Sequence, residues 1–319
     1  MSEETEIVLD RRRLRRAVTF WRAMGIGAAV LAIAAFALPG DQLSSLLEQP
    51  QIARIAIEGT ILESRDQLKM LDKIANDTKV AALLVYVNSP GGTTTGGESI
   101  YESLRKVAAK KPVVAQFGTV AASAGYIVGM GTDHIVSRGN TITGSIGVIA
   151  QWPEVSALLD KVGVKVNEIK SGNLKASPGM FAPLDEGGRK VTQGMVDEGF
   201  KWFLALVETR RGVKTADIAG LEQGRIFSGR EALALKLVDE IGGEDEAVAW
   251  LNDKRGVAKD LKVVNWKPKV ESGWGLPRAQ GSLGSDFAGA AATELVRTLA
   301  AASHLDTVTL DGLVSVWHP

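Results

Sequence analysis

The chain has 319 residues, with 37 Lys and Arg against 37 Asp and Glu, three histidines and no cysteine. Balanced charge supplies no global field to attract nucleic acid or an acidic partner. The missing thiol removes disulfides, thiolate metal sites and a cysteine nucleophile together. His134, His304 and His318 are too few, and wrongly spaced, for a zinc site on a helix, so no metal or cofactor is expected.

Residues 1–22 hold Arg11, Arg12, Arg13, Arg15, Arg16 and Arg22, and Ala23 to Pro39 then run without a charge. Such a run is near the lower length limit for a spanning helix. Basic residues ahead of it predict a cytoplasmic N-terminus and a translocated remainder. The alternatives are a cleaved signal peptide ending near Ala35-Phe36-Ala37 and a buried core helix, which has no need of the arginines. The expected division is a basic cytoplasmic N-terminus (1–22), a transmembrane anchor (23–39), a connector (40–51), a folded domain (52–267) and a flexible linker and tail (268–319).

Ile52 to Ile61 and Val80 to Val87 read as strands, with an amphipathic helix from Ser64 to Asp77 between them. Asn88-Ser89-Pro90-Gly91-Gly92 is a dense turn signal. The pattern continues with a helix over 98–110, a strand over 113–117, a small-residue helix over 121–131 and strands over 134–138 and 141–150. A helix over 153–162, a strand over 164–170 and a long helix from Asp185 to Arg211 follow, the last with an apolar stripe through Val191, Met195, Phe203 and Val207. Another helix starts at Ser228-Gly229 and stops at Gly242-Gly243. Alternating strands and helices predict an α/β fold with a mostly parallel, doubly covered sheet. Glu271 to Gly289 is rich in Gly, Ser and Ala and reads as a linker before an apolar tail ending Trp317-His318-Pro319.

Open parallel sheets place ligands beyond the carboxyl ends of their strands, and two loops here fit that position. Consecutive glycines, Gly91 and Gly92, let backbone N–H groups face a cleft as an oxyanion hole requires, although Pro-Gly-Gly also makes plain turns. Ser123 lies among Ala121, Ala122, Ala124 and Gly125 just past a strand, where it can act as a nucleophile or as a helix cap. A serine needs a base, and His134 has no obvious carboxylate partner in the sequence. A lysine serves only if its pKa falls from about 10.4 to about 7, a change costing roughly 4 kcal/mol that desolvation can supply. Lys175 stands in the loop Lys170-Ser171-Gly172-Asn173-Leu174-Lys175, among small and apolar residues, where a solvated surface charge is the other reading. Gly91-Gly92 and Gly96-Gly97 lack the lysine and the spacing of nucleotide-binding loops.

Taken together, Asn88 to Gly92, Ala121 to Tyr126, Thr143-Gly144-Ser145-Ile146-Gly147-Val148 and Lys170 to Lys175 carry a resemblance. From Ile52 to about Trp250 the chain resembles the signal peptide peptidase A family, the bacterial Ser–Lys peptidases, in its short single-domain form. The separation of Ser123 from Lys175 (175 minus 123, 52 residues) is similar to that of short members. The resemblance implies a Clp-protease/crotonase-like spiral of βαβ units, with Ser123 as nucleophile, Lys175 as base and Ser145 orienting the lysine. It assigns the oxyanion hole to Gly92, with Gly91 as the second choice. It further implies a homo-oligomeric ring or dome in which the lysine reaches a neighbour's serine. The implied substrates are signal-peptide remnants and other unstructured apolar peptides on the extracytoplasmic side of the bacterial inner membrane. A crotonase-like acyl-CoA enzyme and a non-catalytic membrane scaffold of the same fold are the rival readings. The apolar tail is read as disordered with one hydrophobic docking point, or as a plug in the active sites.

Overall fold

Short apolar runs between turn residues build a sheet whose central strands are buried on both faces. The computed structural model describes residues 18–27 and 49–268 and the backbone of 314–316. Contacts divide the chain into Met1–Pro50 and Gln51–Pro319. In the first unit, residues 18–27 form an exposed helix, α1, with Phe20 and Trp21 edge to face at 6.1 Å. Among the described residues no helix is long and apolar enough to cross a membrane. Residues 28–39, most of the expected anchor, lie outside the described residues, as do 40–48 of the connector.

The second unit begins with β1 (Gln51–Ile61), α2 (Arg65–Asn76), β2 (Val80–Thr93) and α3 (Thr94–Ala108). Next come β3 (Val113–Ala122), α4 (Ala124–Met130), β4 (His134–Ser137), β5 (Ile142–Gly144), α5 (Ser156–Lys161) and α6 (Glu186–Arg211). It continues with β6 (Ile226–Ser228), α7 (Gly229–Ala234), β7 (Glu240–Ile241), α8 (Glu244–Arg255) and β8 (Lys262–Asn265). β9 (Val314–Val316) returns to the same sheet. The strand order is β6-β5-β3-β2-β1-β8, with β4 beside β3 and β7, and β9 against the end of β2. Pairing is parallel except for β5 with β6 and β2 with β9.

Two apolar layers hold the sheet. Leu83, Val85 and Val87 face Leu71, Ile74, Ile100, Leu104 and Ile127 on one side, while Leu84, Val114 and Val136 face Ala247 and Leu251 of α8 on the other. At about 1.5–3 kcal/mol for each fully buried large side chain, these layers supply the main drive for folding. Local signals agree with them. Ser64 caps α2 through Gln67 N–H, and Asp185 caps α6 through Gly188 N–H at 2.5 Å. Gly212 ends α6 in the left-handed conformation (φ 63°).

Several boundaries differ from expectation. β2 does not stop at the turn signal but runs on through Pro90 to Thr93, and α3 starts at Thr94 rather than 98. The reason lies across the sheet: β2 slips register against β3 between Val87 and Ser89, and Asn88 Oδ1 accepts the Val120 N–H, so the irregularity is bridged by a side chain. β3 likewise reaches Ala122, and α4 begins at Ala124, not 121. Residues 164–170, expected as a strand, form none and are exposed; their alternation of Val164 and Val166 finds no facing strand. The apolar stripe of α6 is divided: Phe203, Leu206 and Val207 are buried, whereas Val191 and Met195 are exposed.

Candidate active site

Ser123 is the single residue between β3 and α4, and its backbone sits at φ 56°, ψ −120°. Such a conformation is costly for a residue with a Cβ and persists only where surrounding structure enforces it. The enforcement is visible. Ser123 N–H donates to Gly144 O at 2.9 Å, and its carbonyl accepts from Tyr126 N–H and Ile127 N–H at 2.9 and 3.0 Å. Thr143 Oγ1 donates to Ala121 O at 2.7 Å and Thr141 Oγ1 to Gly118 O at 2.6 Å, tying β5 to the strand that delivers the serine. Tyr126 anchors the next turn by donating to Leu237 O at 2.7 Å, and burial drives its phenol pKa up. Ser123 occupies the N-cap position of α4, yet its side chain makes no cap hydrogen bond. The helix-cap reading of this residue therefore fails.

The small neighbours have a packing cause. A Cβ on Gly125 would lie 2.8 Å from Ser89 O, and one on Gly97 would lie 3.2 Å from the Ala124 Cβ. Only small residues let the start of α4 lie this close to Ser89 of β2 and Gly97 of α3.

Ser123, 1 % exposed, lines a cleft of about 440 Å³ together with Ser145, Ile146 and Val148. Ser145 is also held at positive φ (51°), its N–H donating to Arg225 O at 3.0 Å. Gln193 and Asp197 of α6, with Glu222 and Gln223, form the rest of the polar wall. Sequence reasoning missed these four, because nothing local distinguishes them from ordinary surface residues.

Gly91 and Gly92 lie near the C-terminal end of β2, paired with Thr60 and Ile61 of β1. Gly91 (φ 128°) donates its N–H to Ser89 Oγ at 3.1 Å. A Cβ on Gly92 would lie 1.9 Å from Ile61 O, so β1 passes too close for any other residue. β9 pairs antiparallel along the same stretch, with Gly91 opposite Val316, Gly92 opposite Ser315 and Thr93 opposite Val314.

Lys175 is placed differently. It is exposed, in the strap 151–185, and is not among the residues lining the Ser123 cleft. Its N–H closes a turn on Gly172 O at 3.0 Å, and Val155 N–H to Met180 O (2.8 Å) joins the strap's ends. The fold thus brings Ser123 and Ser145 together and leaves Lys175 outside their cleft. His134 is corrected on one point: Glu240 provides a carboxylate 3.1 Å from its Nε2, and its ring stacks on Trp250 at 4.6 Å. That partner comes from β7, 106 residues later, beyond local reading. Among the described residues no group of His, Asp and Glu suits a metal ion.

The profile of peptidase family S49 matches residues 105–258, and that of Clp protease matches 51–139. A Synechocystis sp. protein named as a protease is 37 % identical over 66 % of this chain and 76 % of its own length. An Enterococcus faecium protein named as a signal peptide peptidase SppA is 33 % identical, over 68 % of this chain and 67 % of its own. Protease 4 of Haemophilus influenzae is 33 % identical over 71 % of this chain, which spans only 39 % of that protein. The chain belongs to peptidase family S49, the signal peptide peptidase A family.

Proposed function

We propose that the chain is a membrane-anchored serine endopeptidase in which Ser123 is the nucleophile and Lys175 the general base. The observation that carries this reading is the strained backbone of Ser123 at a strand-to-helix turn, with its hydroxyl uncommitted to the cap and its side chain on the wall of a cleft. Neutral Lys175 takes the Ser123 Oγ proton as the oxygen attacks the peptide carbonyl, Ser145 steadies the amine, and the Gly92 N–H stabilises the oxyanion. The amine product leaves, and water hydrolyses the remaining ester.

The base comes from a second copy of the chain. Support lies in the exposure of Lys175 and in the apolar side chains the strap leaves in solvent, among them Val162, Leu174 and Phe181. The substrate is an unstructured apolar peptide, such as a signal-peptide remnant, bound as an extra strand. The antiparallel seat that β9 takes on Gly91–Thr93 supports that mode. Anchoring through 23–39, with the catalytic domain on the extracytoplasmic side, completes the reading.

A fluorophosphonate that labels activated serines tests it. Mass spectrometry should find the adduct on Ser123, and Ser123→Ala should abolish both labelling and hydrolysis of an apolar peptide amide. An adduct elsewhere, or hydrolysis retained by Ser123→Ala, overturns the nucleophile. No labelling and no hydrolysis by the assembled parent chain would favour the scaffold reading.

A further inference from the structure

Ser89 is fully buried two residues before Gly91, and its hydroxyl hydrogen-bonds to backbone atoms of Gly59 and Gly91. Its Oγ accepts the Gly91 N–H at 3.1 Å. The same Oγ donates its single proton mainly to Gly59 O at 2.6 Å, with Gly91 O as a second, longer acceptor at 3.2 Å. Gly59 (φ 66°) sits where β1 slips register against β2, between Glu58 and Thr60. One hydroxyl therefore joins two irregular points of adjacent strands.

The consequence follows from peptide planarity. The Gly91 carbonyl and the Gly92 N–H belong to one trans peptide and point in opposite directions. A hydroxyl that draws Gly91 O toward itself turns Gly92 N–H away from Ser89. Gly91, at φ 128°, is also the residue about which such a peptide turns over most readily, since it has no Cβ to oppose the flip. Flipped, the unit would present a carbonyl where a donor is needed. The Gly91 N–H, already given to Ser89, is not a competing donor.

We infer that Ser89 is a positioning residue that fixes the Gly91–Gly92 peptide with Gly92 N–H as the oxyanion donor. The inference rests on the Ser123 reading and adds to it the group that sets the direction of the oxyanion hole. Preorganised donors cost no reorganisation during reaction, and losing one costs roughly 10²- to 10³-fold in kcat. A donor left in place but free to turn costs less, about 10- to 100-fold, because a part of the population stays competent.

The test uses the full chain with Ser89→Ala and Ser89→Cys, the second keeping the volume while giving up the strong hydrogen bonds. Both should lower kcat on an apolar peptide amide by that factor and leave KM within about twofold. A peptide aldehyde, whose adduct with a serine places an oxyanion in the hole, should lose affinity in proportion to kcat. Thermal unfolding and gel filtration should show both variants folded and assembled as the parent. Parental kcat in Ser89→Ala overturns the inference, and parental kcat in Ser89→Cys makes the residue a space filler. Loss of cooperative folding in both makes Ser89 structural and also overturns it. Hydrolysis by Ser123→Ala in the same assay would instead remove the underlying reading, a result distinct from any of these.

Discussion

The turn that carries Ser123 and the strap that carries Lys175 are built on opposite principles. Around Ser123, two central strands and a helix of small residues leave the backbone no freedom, and hydroxyls from Thr141 and Thr143 add cross-links. Around Lys175, almost every residue from 157 to 176 is exposed, and the backbone is held mainly by short turns. The core can store a strained residue because the rest of the sheet stabilises it. The strap leaves the Lys175 side chain exposed. On the proposed reading the two halves of the dyad therefore differ in source: Ser123 takes its environment from its own chain, and Lys175 takes its environment from a second copy.

The largest expected effect would break that comparison outright. Lys175→Ala should lower kcat by about 10³-fold or more, as loss of a catalytic base does when the nucleophile depends on it, while gel filtration shows unchanged assembly. Ser123→Ala is equally inactive alone. Mixing the two variants under conditions that exchange subunits should restore part of the activity, because some interfaces then pair an intact serine with an intact lysine. No recovery after verified exchange would place the base within its own chain, and full activity in Lys175→Ala would remove it from the mechanism.

A smaller effect sharpens the picture from the other side of the cleft. β9 occupies the edge of Gly91 to Thr93, where a substrate strand is proposed to bind. A tethered segment competes at an effective concentration of about a millimolar, so weak pairing still blocks a dilute peptide. Truncation after Asp311 should therefore lower the apparent KM several-fold with little change in kcat. A KM that stays put would leave β9 as a structural edge strand, and a fall in kcat with loss of stability would do the same.

How much of this was legible in sequence depended on range. Ser123, Ser145 and the glycines stand in short segments whose residue types are distinctive in themselves, although what excludes a Cβ there, Ile61 O for Gly92 and Ser89 O for Gly125, comes from other elements. The helix starts read at Ser64 and Asp185 rest on local signals, and both residues cap their helices. By contrast, the extension of β2 through Pro90 depends on Asn88 reaching Val120, 32 residues away, and the partner of His134 is 106 residues away. The strand expected over 164–170 had the correct alternation but no neighbour, and alternation does not encode a neighbour. Ser89 looked like one letter of a turn motif; its contact with Gly59 emerges only when β1 and β2 pair.

The smallest effect concerns α6, whose two halves repeat the contrast between packed and open regions. Near its packed end, solvent-exposed Glu208 accepts the Thr215 N–H at 3.0 Å and the Thr215 hydroxyl at 3.0 Å, pinning the chain as it leaves Gly212. These bonds, the backbone one first, hold the carboxyl below its ordinary pKa of 4.5. A depressed folded pKa contributes stability that is present above the unfolded value and lost as pH falls through the folded one. Glu208→Gln, which keeps the shape without the charge, should unfold at a lower temperature than the parent at pH 7. As pH falls below about 4.5 the parent gives up its advantage, so the two melting temperatures should converge. A gap that stays constant from pH 7 to pH 3 would mean that the Thr215 bonds act through shape alone, and that this end of the helix is held by Phe203 and Val207 rather than by charge.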